Sequence, residues 1–418
     1  MTLAAPPRPT LAILIGLAAI GPLAQSILIP SLPGLQRVFE TDYATVQYLL
    51  TLSLLGIALA QLVYGPVSDR YGRRPVLLVG GLIFLAGSVA CVFAPDIETL
   101  IALRLVQAVG GCAGIVLASA VLRDLYERER VASMLAYVTM GMVAAPMIAP
   151  TIGGILEEWI GWWANFAFVG TMGAIILGFG LSTFHETNHA RLPLANPLDI
   201  GRAFGRLLKV PAFLSYAAVN AFSLAMFFGF LAGAPYVMIE LMGRSPSEYG
   251  LYFMLVSGAF MAGNFISARV SPRFGIDRMI WAGTSLTLLG MMALFMVAAL
   301  DRLTPGLLFG LPTLMALGNG LTMANGMAGA VSVNPRAAGA AAGLVGFMQM
   351  FLAAVASFIV GVLIDDNAMP LVSVMLISAS LAFVAHALGG VARGRSRRQG
   401  AAEPEPILPG LADPPRSG

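Results

Sequence analysis

Charge is what this chain has least of. Only 11% of its 418 residues are Asp, Glu, Lys or Arg, against 58% hydrophobic, which is more apolar surface than a water-soluble core can bury. Cysteine is nearly absent: Cys91 and Cys112 both lie inside apolar runs, so neither a disulfide framework nor a thiolate metal site is indicated. Of the three histidines, His185 and His189 stand beside Glu186 without a further ligand at metal-site spacing, so no metal centre is expected. There is no Gly-rich nucleotide loop, hence no direct use of ATP. Nothing supplies a paired nucleophile and base, so an enzyme is not indicated and no cofactor is called for. The net charge of +3 comes without a basic stripe interleaved with aromatics, which argues against a nucleic-acid partner. Lysine occurs once, at Lys209, and carries no functional reading.

What the chain has instead is glycine, 47 residues, proline, 26 residues, and long apolar runs. Membrane helices tolerate Gly and Pro where neighbouring helices re-satisfy the freed backbone groups. Runs of roughly 20 residues, the length that crosses ~30 Å of hydrocarbon, begin near Leu11, Ala44, Pro75, Glu98, Val131, Gly161, Pro211, Pro246, Ile276, Thr304, Ala337 and Pro370. The reading is an all-α integral membrane protein of twelve transmembrane helices in two pseudo-symmetric six-helix bundles. Its expected divisions are an N-terminus at 1–10, bundles at 11–183 and 211–392, a central loop at 184–210 and a Pro-rich disordered tail at 393–418. The first run ends in Ile29-Pro30-Ser31-Leu32-Pro33 without a small-residue cleavage site, so it is kept as span 1 rather than a signal peptide.

Basic residues set the orientation, because cytoplasmic loops retain positive charge. Arg8, then Arg70, Arg73 and Arg74, then Arg123, Arg128 and Arg130, then Arg191, Arg202, Arg206 and Lys209 fall on one side. So do Arg269, Arg273 and Arg278, Arg336, and Arg393, Arg395, Arg397 and Arg398, whereas the other side holds Arg37, Arg244 and Arg302. Both termini are therefore expected in the cytoplasm. The halves also echo each other in sequence: Ser68-Asp69-Arg70-Tyr71-Gly72 and Ser271-Pro272-Arg273-Phe274-Gly275 are offset by 203 residues, and Pro33 has a near counterpart in Pro235. Duplicated halves with a site between them are a transporter architecture.

Three motifs carry the functional reading. Gly65-Pro66-Val67-Ser68-Asp69-Arg70-Tyr71-Gly72-Arg73-Arg74-Pro75 joins spans 2 and 3; its glycines reverse the chain and Asp69 can accept from a helix N-terminus or an Arg. This loop resembles the signature of the major facilitator superfamily, which implies gating roles for Gly65, Asp69, Arg70, Gly72, Arg73 and Arg74 in a cytoplasmic latch between the halves. In span 4, Arg104, followed by Gln107 and Gly110, sits a few residues inside an apolar run. An arginine there is expensive unless paired or hydrated; the alternative is an interfacial side chain that snorkels outward. The pattern resembles the span-4 motif of proton-coupled drug exporters, in which the Arg assists proton transfer. Span 5 carries Gly141, Ala145, Pro146, Ala149, Pro150, Gly153 and Gly154, a smooth face for close helix contact that resembles the antiporter motif with Ala145 and Ala149 at two of its glycine positions. Pro22-Leu23-Ala24, Val121-Leu122-Arg123-Asp124-Leu125, Ala232-Gly233-Ala234-Pro235-Tyr236-Val237 and Gly346-Phe347-Met348-Gln349 extend the resemblance to the Bcr/CflA drug-resistance transporters. That implies a monomer in the bacterial inner membrane exporting amphiphilic drugs, amphenicols and sulfonamides among them, in exchange for protons. The helix-5 pattern favours export; an importer of the same superfamily, or a metabolite transporter without proton coupling, is the alternative.

The chain departs from that branch at two places. Ser26 stands where its members carry an Asp in span 1, and Ser119 where they carry a basic residue late in span 4. None of the 21 acidic residues falls near the middle of a predicted span; Asp69 and Asp124 sit at one end, Glu157 and Glu240 at the other. His386, read as near the centre of span 12, is apart from Arg104 the one titratable candidate at depth, and its alternative reading is a structural core histidine. For a small-molecule cavity the sequence offers Gln25, Ser26, Tyr48, Gln61, Gln107, Asn220, Asn264, Asn319, Asn325 and Gln349, with methionine and phenylalanine for walls. Each of these polar residues is equally eligible as interhelical hydrogen-bonding glue.

Overall fold

The computed structural model describes residues 11–126, 128–188, 197–334 and 338–398. The expected tail lies, from residue 399 on, outside the described residues, as do His189, Arg191 and Arg336. The regular elements are all helical: α1 (Leu11–Ile27), α2 (Leu32–Val38), α3 (Tyr43–Tyr71), α4 (Arg73–Val92), α5 (Ile97–Leu125), α6 (Arg128–Trp159), α7 (Trp163–Thr183), α8 (Pro197–Leu208), α9 (Pro211–Tyr236), α10 (Pro246–Phe274), α11 (Ile276–Ala299), α12 (Pro305–Ser332), α13 (Ala338–Leu363) and α14 (Met369–Arg398). Twelve stretches are long and apolar enough to cross a membrane, each starting within a few residues of the position read from sequence. The first comprises α1, a 3-10 turn at Ile29–Ser31 and α2, because Pro30 and Pro33 withhold the N–H groups a continuous helix needs. The stretch between spans 6 and 7 is not all loop: α8 buries Leu207 against Phe213 and Tyr216 of α9 and leaves Arg202 and Arg206 exposed. Large side chains such as Phe265, Leu289 and Leu388 are mostly exposed on the outer surface, an arrangement stable only in lipid.

The helix ends differ between the two sides of the bundle. Where α3, α5, α10 and α12 begin, side chains cap them: Asp42 accepts from the Thr45 N–H at 2.7 Å, Asp96 from Thr99 at 2.7 Å, Ser245 from Glu248 in a capping box, and Thr304 from Leu307. These oxygens satisfy orphan donors of the first turn. Where α3 and α10 stop, Gly72 (φ +104°) and Gly275 (φ +83°) take left-handed backbone and reverse the chain into α4 and α11. The two sides are termed the cap end and the glycine end. Asp42 and Ser245 are separated by the same 203 residues as Gly72 and Gly275, so the repeat seen in sequence is a repeat of helix boundaries.

Packing repeats as well. α4 crosses α5 at Gly80 and Gly110, where a Cβ on Gly110 would lie 2.7 Å from the Gly80 carbonyl oxygen; α11 crosses α12 at Gly283 and Gly318, with the corresponding approach 2.5 Å. Backbones this close require glycine. Contact between the halves is made chiefly by α3 against α13 and α6 against α10. The largest apolar core is common to both halves and lies toward the cap end, joining Leu35, Tyr43 and Leu50 to Phe230, Tyr249 and Phe309. Toward the glycine end each half has its own core, Leu77, Leu117 and Val121 in the first, Phe213, Ile280 and Val345 in the second. The molecule is thus fused at one end and divided at the other.

Candidate functional site

At the glycine end, Arg73 organises the α3–α4 loop. Its guanidinium meets Asp69 at 2.6 Å and Asp124 of α5 at 3.0 Å, and donates to the Ser68 hydroxyl. Glu186, just after α7, accepts the α4 N-terminal N–H groups of Arg73 (2.8 Å) and Arg74 (3.2 Å), where a carboxylate is favoured by the helix dipole. Sequence reasoning offered Asp69 for either an arginine or a helix N-terminus; Asp69 takes the arginine and Glu186 takes the helix. Gly72 serves this arrangement twice over, since any Cβ there would collide with the Glu186 carboxylate. Asn188 donates to the Asp69 carbonyl and Thr187 to Asp124. Arg70 is exposed beside the Tyr71 ring, and Gly65 supplies the carbonyl that accepts from Ser68. Among the described residues, every partner of this cluster belongs to the first half or to the segment directly after α7.

Deeper in the same half, Arg104 of α5 is 2% exposed, which disposes of the snorkelling alternative. One terminal nitrogen donates to the Ala24 carbonyl of α1 at 2.7 Å and to Gln25 Oε1 at 3.0 Å; the other donates to Gln107 Oε1. Gln107 passes the chain on to the Ser88 hydroxyl of α4 at 2.7 Å, and Ser88 to the Phe84 carbonyl. Arg104 Nε and Gln25 Nε2 have no acceptor, and among the described residues no carboxylate pairs with Arg104. Every acidic residue on a described span lies in a terminal turn. The guanidinium is charged at any physiological pH, so here a buried cation is balanced by dipoles alone.

Beside this network, between the halves, is a cavity of about 220 Å³. The first half contributes Pro22, Gln25, Ser26, Met142, Pro146 and Met147; the second contributes Phe227, Phe228, Phe253, Phe260, Ser257, Asn319 and Met323. Among the described residues, no charged side chain is part of its wall. Toward the cap end it is closed by hydrogen bonds across the halves: Tyr43 and Gln47 of α3 both donate to the Ala232 carbonyl of α9, at 2.7 and 2.8 Å, and Thr51 meets Ser357 of α13. Arg37 and Glu240 add an ion pair at 3.3 Å, largely exposed on the arginine side.

The sequence model of the Major Facilitator Superfamily matches residues 14–358. The chain belongs to the major facilitator superfamily. It is 27% identical over 362 residues to a bicyclomycin resistance protein homolog of Haemophilus influenzae, covering 86% of this chain and 90% of that one. It is 30% identical over 344 residues to multidrug resistance protein D of Escherichia coli, covering 81% and 85%. Among solved structures it matches a bacterial homologue of the human lysosomal transporter Spinster, in an inward-facing, unoccupied conformation, with a TM-score of 0.72 at 16% identity, covering 94% of this chain and 98% of that one. The protein is a multi-pass membrane transporter with drug-resistance relatives.

Within that superfamily fold, the α6 pattern meets two partners. Gly141 lies against Ile15, and Gly153 against the Ile27 carbonyl, on α1; Gly154 lies against the Pro246 carbonyl on α10. Ala149 is fully buried, Pro150 is buried beside Gly250, and Thr151 donates to the Gly250 carbonyl at 2.8 Å. Ala145 is half-buried, and Pro146 reaches the cavity.

Of the polar residues offered for the cavity, Gln25, Ser26 and Asn319 line it. The others do not. Asn220, Asn264 and Asn325 donate to carbonyls four residues back on their own helices, those of Tyr216, Phe260 and Leu321. Tyr48 packs on Phe358, and Gln61 faces Gly346. Gln349 is buried away from the wall. His386 is buried as expected, but not at mid-span: its Nε2 lies 3.2 Å from the Asp277 carbonyl in the first turn of α11, at the glycine end, and its ring packs on Trp281. Sequence reasoning missed the role of Glu186, which it weighed only as a neighbour of His185 and His189, and it did not single out the individual phenylalanine and methionine wall residues.

Proposed function

We propose that the protein exports small amphiphilic compounds from the cytoplasm by alternating access between its halves. The observation that carries this is the cavity between the halves, walled by phenylalanine and methionine with a few neutral polar groups. Soft side chains of this kind accommodate varied aromatic shapes through repacking, in keeping with the resistance names of the relatives. The arginine distribution supports a glycine end and both termini in the cytoplasm of a bacterial inner membrane; on this reading the fused cap end is periplasmic and this conformation is the one closed to the outside. Asp69, Arg73, Asp124 and Glu186 then form a cytoplasmic cluster held within one half, available to latch the second half when that side closes. The α6 small-residue face provides the surface on which α1 and α10 shift.

Energising by protons belongs to this reading through the α5 and α6 motifs, with the span-end carboxylates Asp124, paired with Arg73, and Glu240, paired with Arg37, as the candidate carriers. One observation favours a second reading, a transporter of the same superfamily that does not exchange protons: no carboxylate lies at depth in any described span. Accumulation of chloramphenicol and florfenicol in an efflux-deficient bacterium separates the two. Lowered accumulation that a protonophore restores and that Asp69→Asn abolishes is the expected result. Lowered accumulation insensitive to the protonophore selects the second reading, and unchanged accumulation of every compound removes export.

A further inference from the structure

The network around Arg104 has an excess of donors. Arginine has no acceptor to offer, so its contact with Gln25 fixes the amide orientation: Oε1 faces the guanidinium and Nε2 faces away. That Nε2 has no acceptor, nor has Arg104 Nε, and both residues are more than nine-tenths buried. Buried polar groups are ordinarily satisfied, and an unpaired charge is the costliest exception. The surrounding elements supply only neutral groups: Ala24 and Gln25 from α1, Ser88 from α4 and Gln107 from α5. Gln25 is also part of the cavity wall, next to Ser26. One side chain therefore links an apolar, aromatic-walled cavity to a buried cation with unfilled donors.

We infer that the preferred substrate is an aromatic weak acid in its anionic form, whose carboxylate or comparably acidic group seats at Gln25 Nε2, across that one amide from the Arg104 guanidinium. The inference rests on the export reading only in taking this cavity as the transport site. An anion at Gln25 Nε2 accepts the free amide hydrogen and supplies the countercharge that the protein's own side chains do not. Its ring occupies the space between Phe227, Phe228 and Met147. A cation at the same place meets an arginine and no carboxylate, so the site selects by charge sign. Neutral amphiphiles enter the same cavity without supplying the countercharge, and bind more weakly.

The test compares 1-naphthoate with 1-naphthamide, similar in shape and different in charge, by equilibrium binding to the purified full chain in detergent. Charge-assisted hydrogen bonds predict that naphthoate binds tighter by about tenfold or more. Gln25→Glu places a carboxylate beside Arg104, so the fold keeps a partner for the cation while the anion site is occupied from within. This variant is expected to unfold at no lower temperature than wild type, to lose naphthoate binding by about tenfold or more, and to keep naphthamide within about twofold. Equal binding of the two compounds by wild type, or undiminished naphthoate binding by Gln25→Glu, overturns the inference. If chloramphenicol is exported while naphthoate is neither bound nor exported, the inference falls and the export reading stands; if none of the three is exported, both fall.

Discussion

At the intervals that align the two halves, 203 residues for α4 with α11 and 208 for α5 with α12, Ser88 corresponds to Met291, Arg104 to Pro312 and Gln107 to Met315. Met291 and Met315 are fully buried in the second half, in places where the first half buries a hydrogen-bonded arginine network. The glycine crossings do not differ in this way: Gly80 and Gly110 have exact counterparts in Gly283 and Gly318, and the caps Asp42 and Ser245 occupy equivalent positions. Backbone constraints have been kept in both halves because both need the same helix approach. Polar chemistry has been kept in one. The first half holds the charge and the second supplies most of the aromatic wall opposite it.

The largest expected effect tests the shared part of that comparison. Gly110→Val and Gly318→Val each drive side-chain atoms into backbone, and each is expected to destabilise by about 3 kcal/mol or more, seen as loss of monodisperse protein on size-exclusion chromatography. A folded Gly318→Val beside an unfolded Gly110→Val would break the equivalence. Next is Arg104→Leu, which makes the first half resemble the second. Removing a buried cation that lacks a counter-ion is expected to leave thermal stability unchanged or raised, while transport of any substrate held through Gln25 falls about tenfold or more. Stability lost in step with transport would make Arg104 a scaffold residue.

A smaller effect concerns the seal. Gln47→Leu removes the bond to the Ala232 carbonyl, worth about 0.6 kcal/mol in a membrane setting, together with a longer one from the Ser357 hydroxyl at 3.4 Å, and is expected to shift the balance of conformations roughly threefold or more toward opening at the cap end. Accessibility of a single cysteine introduced beside Ala232 reads this directly, since native Cys91 and Cys112 are fully buried and stay silent. The smallest effect separates the caps. The Thr45 N–H holds the Asp42 carboxyl below its usual range, so its contribution is present above the unfolded-state value near 3.8 and is lost as pH falls through the lower folded value. The Ser245 hydroxyl does not titrate. Below about pH 4 the melting temperature of wild type is expected to fall more steeply than that of Asp42→Asn, and parallel curves would remove the cap's acid sensitivity.

The spans, their number and the repeat were legible because they rest on local signals: apolar length, Pro and Gly at the ends, and arginine on one side. Arg104 was legible for the same reason, a lone charge in an apolar run. Glu186 was not, because its partners are 113 and 112 residues away in the chain and nothing near it marks a helix N-terminus in space. The cavity residues were only half legible. An asparagine at depth bonded to the carbonyl four residues back reads in sequence like one facing a ligand, and Asn220, Asn264 and Asn325 all proved to be the former. Likewise a phenylalanine gives the same signal whether it faces lipid, as Phe265 does, or the cavity, as Phe253 does.

A fixed positive charge at depth with no counter-ion also makes voltage an input to the protein. Moving one elementary charge through a full membrane potential of 100 mV is worth about 2.3 kcal/mol, and the part that acts on Arg104 is the share of the field that shifts past it when one side seals and the other opens. In the orientation proposed above, with the cell interior negative, an arginine in electrical contact with the interior is the lower-energy arrangement. On that reading the empty carrier is biased toward the conformation seen here, and the proposed anion, by cancelling the charge, removes that bias.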